Sequence, residues 1–209
     1  MACHHYSDRM GRWEPGTRER LERAAVELFV DQGFAETTVP QITARAGLTT
    51  RTFFRHFADK REVLFADEDE LPARVAAFLA EAPPAWGTLA VVRHGLETLM
   101  TPLFASRRDH LRRRNAVIEA DDGLRERDLR KLAGLAEVIE EGLRRRGEDE
   151  LRAALAGALA VQAFRITVGR WLQRDDADLA SLLKETFAAC HALVEPEPRP
   201  GAPAASEEV

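Results

Sequence analysis

Apolar residues recur at helical spacing along most of the chain, and the clearest case lies near the N-terminus. The apolar positions of this segment follow an i, i+3, i+4, i+7, i+8 pattern: Leu21, Ala24, Ala25, Leu28 and Phe29. The positions between them are mainly charged, so one face is apolar and the other is solvated. This pattern predicts an amphipathic helix from Thr17 to Gln32, ended by Gly33.

A second, short helix is predicted between Thr38 and Gly47. Thr38 and Gln41 have the spacing of a capping box, in which each side chain bonds the backbone N–H of the other residue. Pro40 falls in the first turn, where its missing N–H costs little. Gly47 is the residue type that most often follows the end of a helix.

A third helix is predicted from Thr50 to His56, with Thr49 suited to cap it. Phe53 and Phe57 are four residues apart, so they share the face that turns inward. Packing partners for this face are supplied by Ile42, Ala46 and Leu48. Two short helices joined by a turn that contains glycine form a helix-turn-helix.

The rest of the chain is predicted to be helical as well. A fourth helix begins near Asp59 as its cap and continues through Leu71, with a kink at Pro72, to about Ala82. Breaks at Gly, Asp and Pro residues separate the later helices, which are predicted over Thr88–Ser106, Arg108–Ala120, Leu124–Arg146, Glu150–Gln173 and Asp178–Val194. No convincing strand is found and Val and Ile are few, so the fold class is all-α.

The two ends of the chain differ in composition from the helical part. Residues 1–16 and 195–209 lack apolar periodicity and are predicted to be disordered. A metal site at Cys3, His4 and His5 is rejected, because a flexible tip without a fourth ligand is a poor site, and no cofactor is predicted.

No apolar run approaches the roughly 20 residues that span a bilayer, and no secretory signal is recognised. We therefore expect a cytoplasmic protein with no membrane partner.

Charge is segregated along the chain. The whole chain carries a formal net charge of -5, which by itself does not indicate a nucleic-acid binder. Residues 45–61, however, hold five positive side chains against one negative one. The positive residues of this stretch are Arg45, Arg51, Arg55, Lys60 and Arg61. Any basic surface is therefore local to the helix-turn-helix.

The outer face of the predicted third helix carries side chains suited to DNA. It comprises the residues that lie away from the two inward phenylalanines: Thr50, Arg51, Phe54 and Arg55. An Arg guanidinium can hold O6 and N7 of guanine together, and Thr can offer a methyl to thymine or a hydroxyl to phosphate. A lone Arg on a helix is usually a solvated charge, but the local excess of positive charge favours contact with the DNA major groove.

Two residues beside this face are predicted to contact phosphate. Lys60 stands at the start of the fourth helix, whose N-terminal dipole adds to the attraction for an anion. The alternatives for His56 are a core residue, a phosphate contact and a pH sensor. We favour the phosphate contact.

The stretch from Gly33 to Lys60, GFAETTVPQITARAGLTTRTFFRHFADK, resembles the DNA-binding module of TetR-family regulators. The matching positions are Gly33, Thr38, Ile42, Ala46, Gly47, Thr49, Thr52, Phe57, Lys60 and Leu64. The resemblance covers Thr17 to Ala66, and beyond it only length and helical character are similar. It implies a dimer of about nine-helix subunits that represses transcription from a palindromic operator in double-stranded DNA. A small molecule that enters the C-terminal domain would release the operator.

The resemblance also implies a domain division and a set of DNA contacts. The three-helix DNA-binding domain would span residues 17–58, and a larger effector-binding and dimerisation domain residues 59–194. The residues at the family's DNA contacts are Thr50, Arg51, Thr52, Arg55, His56 and Lys60, and the further candidates are Thr38, Gln41, Arg45, Thr49 and Phe54. Arg51 stands where Gly or Pro is frequent, and Phe54 stands where a Tyr usually gives its hydroxyl to phosphate. Both departures affect the operator sequence rather than the fold.

The C-terminal domain holds the expected dimer and ligand sites. In the family the last two helices form the dimer interface, and residues 150–173 and 178–194 are apolar enough for this role or, alternatively, for a plain core. Apolar candidates for a ligand pocket, each of which is alternatively simple core, are Phe78, Trp86, Leu96, Met100, Phe104, Ile118 and Phe164. Gln162 and Arg165 interrupt an apolar run, and a guanidinium buried there would need a carboxylate from a ligand or from the protein.

An enzyme and a protein-binding regulator are the alternatives to a ligand-responsive repressor. The sequence has no G-x-S-x-G, H-E-x-x-H or G-x-x-x-x-G-K motif and its histidines are scattered, so no catalytic residue and no enzyme activity is predicted. A C-terminal domain that binds another protein, or no effector at all, is the alternative within the regulator class. The sequence does not distinguish a repressor from an activator, and it names neither effector nor operator.

Overall fold

The computed structural model describes residues 16–65, 70–104 and 107–194, and within them the chain forms ten α-helices and no strand. The helices are α1 (Thr17–Gln32), α2 (Val39–Ala46), α3 (Thr50–His56), α4 (Glu62–Phe65), α5 (Leu71–Glu81), α6 (Thr88–Phe104), α7 (Arg108–Glu119), α8 (Asp122–Arg145), α9 (Glu150–Gln173) and α10 (Leu179–Val194). The all-α fold class is confirmed. The segments predicted to be disordered, and with them the candidate metal ligands Cys3, His4 and His5, lie outside the described residues except for Gly16.

The predicted fourth helix is two helices, which is why ten are found where about nine were expected. Asp59 does cap the first of them, because its Oδ1 accepts from the backbone N–H of Arg61 (2.7 Å) and of Glu62 (3.1 Å). This helix, α4, is described as far as Phe65, residues 66–69 lie outside the described residues, and α5 begins at Leu71 after a turn at Glu70. The expectation of one helix that continues through Leu71 with a kink at Pro72 is therefore wrong. Pro72 lies in the first turn of a new helix, where a backbone N–H has no intrahelical acceptor.

The described chain divides into two compact units, and the first contains more than the helix-turn-helix. It comprises residues 1–71 and 107–131, so α7 and the first part of α8 belong with α1–α4. Val117, Ile118 and Leu124 join the core formed by the first helices, and each is at most 6% exposed. The unit thus differs from the domain predicted over residues 17–58, because α7 supplies part of its core.

The second compact unit comprises residues 72–106 and 132–209. In its described part α9 packs against α6 and α10, and α10 also packs against α6. A buried hydrogen bond of 3.0 Å joins the hydroxyls of Thr167 in α9 and Thr186 in α10. The guanidinium of Arg146 holds the end of α5 by donating to the carbonyl oxygens of Leu79 (3.0 Å) and Ala82 (2.7 Å).

Among the described residues one helix, α9, is long and apolar enough to cross a membrane by length and composition alone. Charged residues interrupt the apolar run of α9, which is why no membrane-spanning run was expected from the sequence. The core helix of a water-soluble protein passes the same test, so one such helix is weak evidence for a membrane.

Gly157 sets the distance between α9 and α8. A Cβ built at this residue would lie 2.7 Å from the backbone carbonyl oxygen of Ala136, closer than real Cβ contacts allow. We expect Gly157→Ala to lower the free energy of unfolding by about 1 to 2 kcal/mol, because backbone on both sides must shift. Urea denaturation followed by circular dichroism measures this change.

Gly134 in α8 provides the matched control for that substitution. A Cβ at Gly134 would meet nothing within 4 Å, so Gly134→Ala should raise the free energy of unfolding by about 0.5 to 1 kcal/mol through backbone entropy alone. Equal effects of the two substitutions would contradict the close helix crossing at Gly157.

Candidate nucleic-acid interface

Helix α3 is fixed at its start by a hydroxyl cap and along its inner face by aromatic packing. Thr49 Oγ1 accepts from the backbone N–H of Thr52 at 3.1 Å, and the two hydroxyls are 2.9 Å apart. Phe53 is fully buried and Phe57 is 4% exposed, with ring centroids 5.3 Å apart. The predicted cap and the predicted inner face are both confirmed.

Helix α2 begins with the predicted capping box. Thr38 Oγ1 accepts from the backbone N–H of Gln41 at 3.4 Å, and Gln41 Oε1 accepts from the backbone N–H of Thr38 at 2.8 Å. The same Gln41 oxygen also accepts from Gln32 Nε2 at 3.2 Å. Arg45, at the other end of α2, pairs with Glu27 at 3.3 Å. The side chains of Thr38 and Gln41 therefore hold the helix start, and any DNA contact by Gln41 falls to its amide NH₂ group.

The outer face of α3 is open to solvent. All four residues predicted to point outward are exposed: Thr50, Arg51, Phe54 and Arg55. Phe54 keeps 58% of its surface accessible, which is unusual for an aromatic side chain. The predicted orientation of the face is confirmed, while the DNA contacts of these residues stay predictions. Two guanidinium groups on one exposed helical face can bind phosphate or guanine.

The ammonium group of Lys60 is bound within the protein, which gives this residue a structural role, and the phosphate contact expected for it stays a prediction. Its ammonium group donates to the carbonyl oxygens of Phe34 (2.7 Å), Ala35 (3.1 Å) and Thr37 (2.8 Å). Nζ also lies 4.4 Å from the centroid of the Phe34 ring. An ammonium group has three protons, and all three are used to tie the turn between α1 and α2 to the start of α4.

His56, the last residue of α3, is partly buried. Burial lowers the pKa of His56 below its ordinary value, and the positive charges of Arg55 and Arg18 lower this pKa further, while Glu19 raises it. The imidazole is therefore neutral at neutral pH, when it has one N–H to donate. A phosphate contact by His56 stays a prediction.

Sequence reasoning missed an ion-pair cluster on the inner side of this unit. Glu22 is a buried residue that is 4% exposed. Its carboxylate pairs with the guanidinium groups of Arg18 (3.2 Å) and Arg107 (3.4 Å). The guanidinium carbon of Arg18 also lies 5.7 Å from the centroid of the Phe57 ring. The i, i+4 spacing of Arg18 and Glu22 was a usable signal, but nothing in the sequence points to Arg107. The cluster connects α1 with the residue before α7 and with the end of α3.

A second missed residue is Arg20, which fixes the turn of the helix-turn-helix. Its Nη2 donates to the carbonyl oxygen of Ala46 at 2.7 Å, at the C-terminal end of α2. The next residue, Gly47, has φ +65, a left-handed conformation that glycine adopts without strain. Arg20 and Gly47 together set where α2 stops and α3 can begin.

The candidate ligand residues do not form one set. Ile118 is 2% exposed within the core of the first unit, and is therefore a core residue rather than part of a pocket among the C-terminal helices. Gln162 and Arg165 are exposed on α9, so the guanidinium of Arg165 is not buried within its own chain, and a ligand contact by either residue stays a prediction. Both residues interrupt an apolar run in the sequence, which suggested burial, but they lie on the exposed face of α9.

The aromatic candidates lie in the second unit. Phe104 makes edge-to-face contacts with Phe164 (5.8 Å) and Trp171 (6.2 Å), while Trp86 lies over His94 with ring centroids 4.4 Å apart. Two further candidates, Phe78 and Leu96, are partly buried, and the side chain of Met100 lies outside the description. Ligand contact by any of them stays a prediction.

Two family models match the chain. One is described as bacterial regulatory proteins of the tetR family and matches residues 22–66, and the other is described as the MftR C-terminal domain and matches residues 86–194, more than half of the chain. The HTH-type transcriptional regulator TcmR of Streptomyces glaucescens is 32% identical over 185 residues, which cover 79% of this chain and 77% of TcmR.

Solved structures are similar over most of their length. FadR of Thermus thermophilus, a TetR family transcriptional repressor in complex with lauroyl-CoA, has 26% sequence identity and a TM-score of 0.55, over 90% of this chain and 100% of that one. The SmeT–triclosan complex has 23% identity and a TM-score of 0.59, over 83% of this chain and 91% of that one, which supports the fold.

Proposed function

The chain belongs to the TetR family of bacterial regulatory proteins and is a transcriptional regulator, not an enzyme, and on that basis we propose that it is a dimeric repressor. It binds a palindromic operator in double-stranded DNA and blocks transcription by occupying the promoter. A small-molecule effector bound in the second unit releases it. Because its target is chromosomal DNA, we place it in the cytoplasm.

The observation that carries the proposal is the outer face of α3. A helix whose inner face is locked by Phe53 and Phe57 presents Arg51 and Arg55 to solvent. The segment around them is positively charged in an otherwise acidic chain. A fixed helix with a cationic outer face suits the DNA major groove, which admits an α-helix and offers acceptors on guanine. Arg45 and the amide NH₂ group of Gln41 extend the same surface on α2.

Selection from a randomised duplex library tests this function directly. The purified protein, at a stated salt concentration, is expected to enrich a palindrome whose half-sites lie about 34 to 36 Å apart, one helical turn of DNA. Two half-sites follow from a two-fold symmetric dimer. Recovery of no enriched sequence by correctly folded protein would contradict the proposal.

Dimerisation through α9 and α10 is supported by the open face of α9. Three large apolar residues are exposed there although they lie on one of the most apolar helices: Leu151 (69%), Leu155 (62%) and Ile166 (52%). Gln162 and Arg165 lie along the same exposed part of α9. Exposed apolar surface of this kind on a helix is typical of a protein–protein interface. A second copy of the chain, related by two-fold symmetry, would cover it.

We expect Leu155→Ala to raise the dimer dissociation constant roughly 30-fold, since about 1 kcal/mol of apolar burial is lost in each of the two subunits. Analytical ultracentrifugation over a range of protein concentrations measures the constant. Leu129→Ala is the matched control, because Leu129 is also an exposed leucine (51%) but lies on α8. A wild-type protein that is monomeric at micromolar concentration would refute the dimer.

A small-molecule effector is supported by the family and by one similar structure. FadR of Thermus thermophilus, 26% identical, was solved with lauroyl-CoA. In this chain the aromatic side chains of Phe104, Phe164 and Trp171 pack edge to face in the second unit, and such apolar surroundings suit an apolar effector. The effector acts by binding better to a conformer whose recognition helices no longer match the operator spacing.

A further inference from the structure

We propose that Phe54, assisted by the methyl group of Thr50, reads the 5-methyl group of thymine in the major groove. This proposal rests on the proposed function, since it requires that α3 bind DNA. It adds a specific base chemistry to one named side chain and predicts that each half-site of the operator contains a thymine at a fixed place.

The side chains of α3 divide its outer face into two stripes. Residues four apart lie on the same side of a helix, so Thr50 stands beside Phe54 and Arg51 beside Arg55. Consecutive residues are about 100° apart, which places the apolar stripe next to the cationic one. A helix lying in the groove thus presents guanidinium groups to one set of base edges and apolar groups to the adjacent set.

Phe54 is held in place although it is exposed. Among the described residues it is the one aromatic side chain that is more than half exposed. Its ring meets the ring of Phe53 edge to face, with centroids 5.4 Å apart at 81°. Phe53 is itself fully buried and packed against Phe57. The exposed ring of Phe54 is therefore in contact with a side chain of the core, while more than half of its surface stays accessible.

The chemistry of Phe54 limits what it can recognise on DNA. A phenyl ring has no proton to donate to a phosphate oxygen or to a base edge. In the major groove the apolar group on a base edge is the thymine methyl. The hydroxyls of Thr49 and Thr52 contact each other at the helix start, whereas Thr50 is exposed at the first position of α3 and can place its methyl beside the ring.

The neighbouring charges indicate the occupant of this apolar stripe. Arg51 and Arg55 are both exposed beside Phe54, and a protein surface that pairs two guanidinium groups with one phenyl ring complements a polyanion that carries apolar groups at intervals. Duplex DNA with thymine in the major groove has this composition. An apolar protein partner would instead leave both guanidinium groups desolvated without a counter-charge.

Thymine and uracil differ only by the 5-methyl group, which gives a direct test. In the operator recovered by selection, each thymine is replaced in turn by deoxyuridine, and binding is measured for the wild type and for Phe54→Ala. Loss of one buried methyl should weaken wild-type binding about fourfold per half-site at one position. Phe54→Ala should bind more weakly to the thymine operator and show no further loss with deoxyuridine at that position.

Two other variants separate methyl recognition from general effects. Phe54→Leu keeps an apolar side chain and should keep part of the response to deoxyuridine, and it guards against misfolding of the alanine variant. Arg51→Ala should bind more weakly yet keep the full response, because the guanidinium belongs to the other stripe.

The following results of the selection and deoxyuridine experiments would overturn the proposed methyl contact. An operator half-site without thymine, or an equal loss with deoxyuridine in wild type and in Phe54→Ala, would show that Phe54 does not contact the methyl and touches the sugar or nothing. The regulator function would then still stand. Failure to recover any operator would instead refute DNA recognition itself, and the methyl contact with it.

Discussion

Replacement of Arg51 by alanine is expected to weaken operator binding by about 2 to 6 kcal/mol in the dimer, since a bidentate contact between Arg and guanine contributes about 1 to 3 kcal/mol in each half-site. Arg51 is exposed on a helix whose cap and inner face are fixed, so its loss removes the contact without disturbing the fold. Binding to the selected operator is measured by fluorescence anisotropy at several salt concentrations.

Specificity distinguishes a base contact from a phosphate contact in that experiment. If Arg51 reads guanine, the variant loses its preference at one base pair of each half-site while the salt dependence changes little. A phosphate contact would weaken binding to every sequence equally and lower the salt slope. Arg61→Ala is the matched control, because this exposed arginine pairs with Asp59 at 3.3 Å and lies outside α3. Unchanged affinity and specificity of Arg51→Ala would refute the contact.

Replacement of Lys60 by methionine is expected to lower the free energy of unfolding by about 2 to 4 kcal/mol. A hydrogen bond from a charged group contributes about 1.5 to 3 kcal/mol, and the three bonds of Lys60 do not add fully because they all hold the same turn. Methionine keeps the apolar length of the side chain beside Phe34 but leaves three carbonyl oxygens without the ammonium group. Chemical denaturation in the absence of DNA measures the loss.

The same variant separates a structural lysine from a phosphate-binding one. With a structural role, stability falls, and at temperatures where the variant is folded the slope of log affinity against log salt stays that of the wild type. With a phosphate contact, stability would be unchanged and the slope would fall by about one. Arg61→Ala again serves as the control for removal of a neighbouring positive charge, with an expected change in stability below about 0.5 kcal/mol.

The helix-turn-helix was predictable because its signals are local. The capping box of Thr38 and Gln41 and the cap at Thr49 act over three residues, and the inner face of α3 follows from the spacing of Phe53 and Phe57. Each of these features depends on residues within one turn of a helix, which a sequence displays directly. The exposed face of α3 follows by elimination.

What the sequence did not predict depends on partners distant along the chain. Lys60 reaches carbonyl oxygens 23 to 26 residues away, and Arg107 reaches Glu22 across 85 residues. Their residue types allowed a solvent or phosphate contact equally well. The exposure of Arg165 could not be predicted either, because an apolar helix predicts burial, but only packing against other helices decides which of its faces is buried.

The contribution of α7 and the start of α8 to the first unit has a consequence for synthesis on the ribosome. A helix-turn-helix at the N-terminus would ordinarily complete its core as soon as it is translated, but here Val117, Ile118 and Leu124 arrive much later. The 60 residues from 72 to 131 take about 3 to 12 s to translate at about 5 to 20 residues per second. During that interval the nascent N-terminal helices lack part of their apolar cover and are open to chaperones and proteases. A chain that terminates before residue 117 lacks this part of the core, so we expect its N-terminal helices to be less stable than those of the full-length chain.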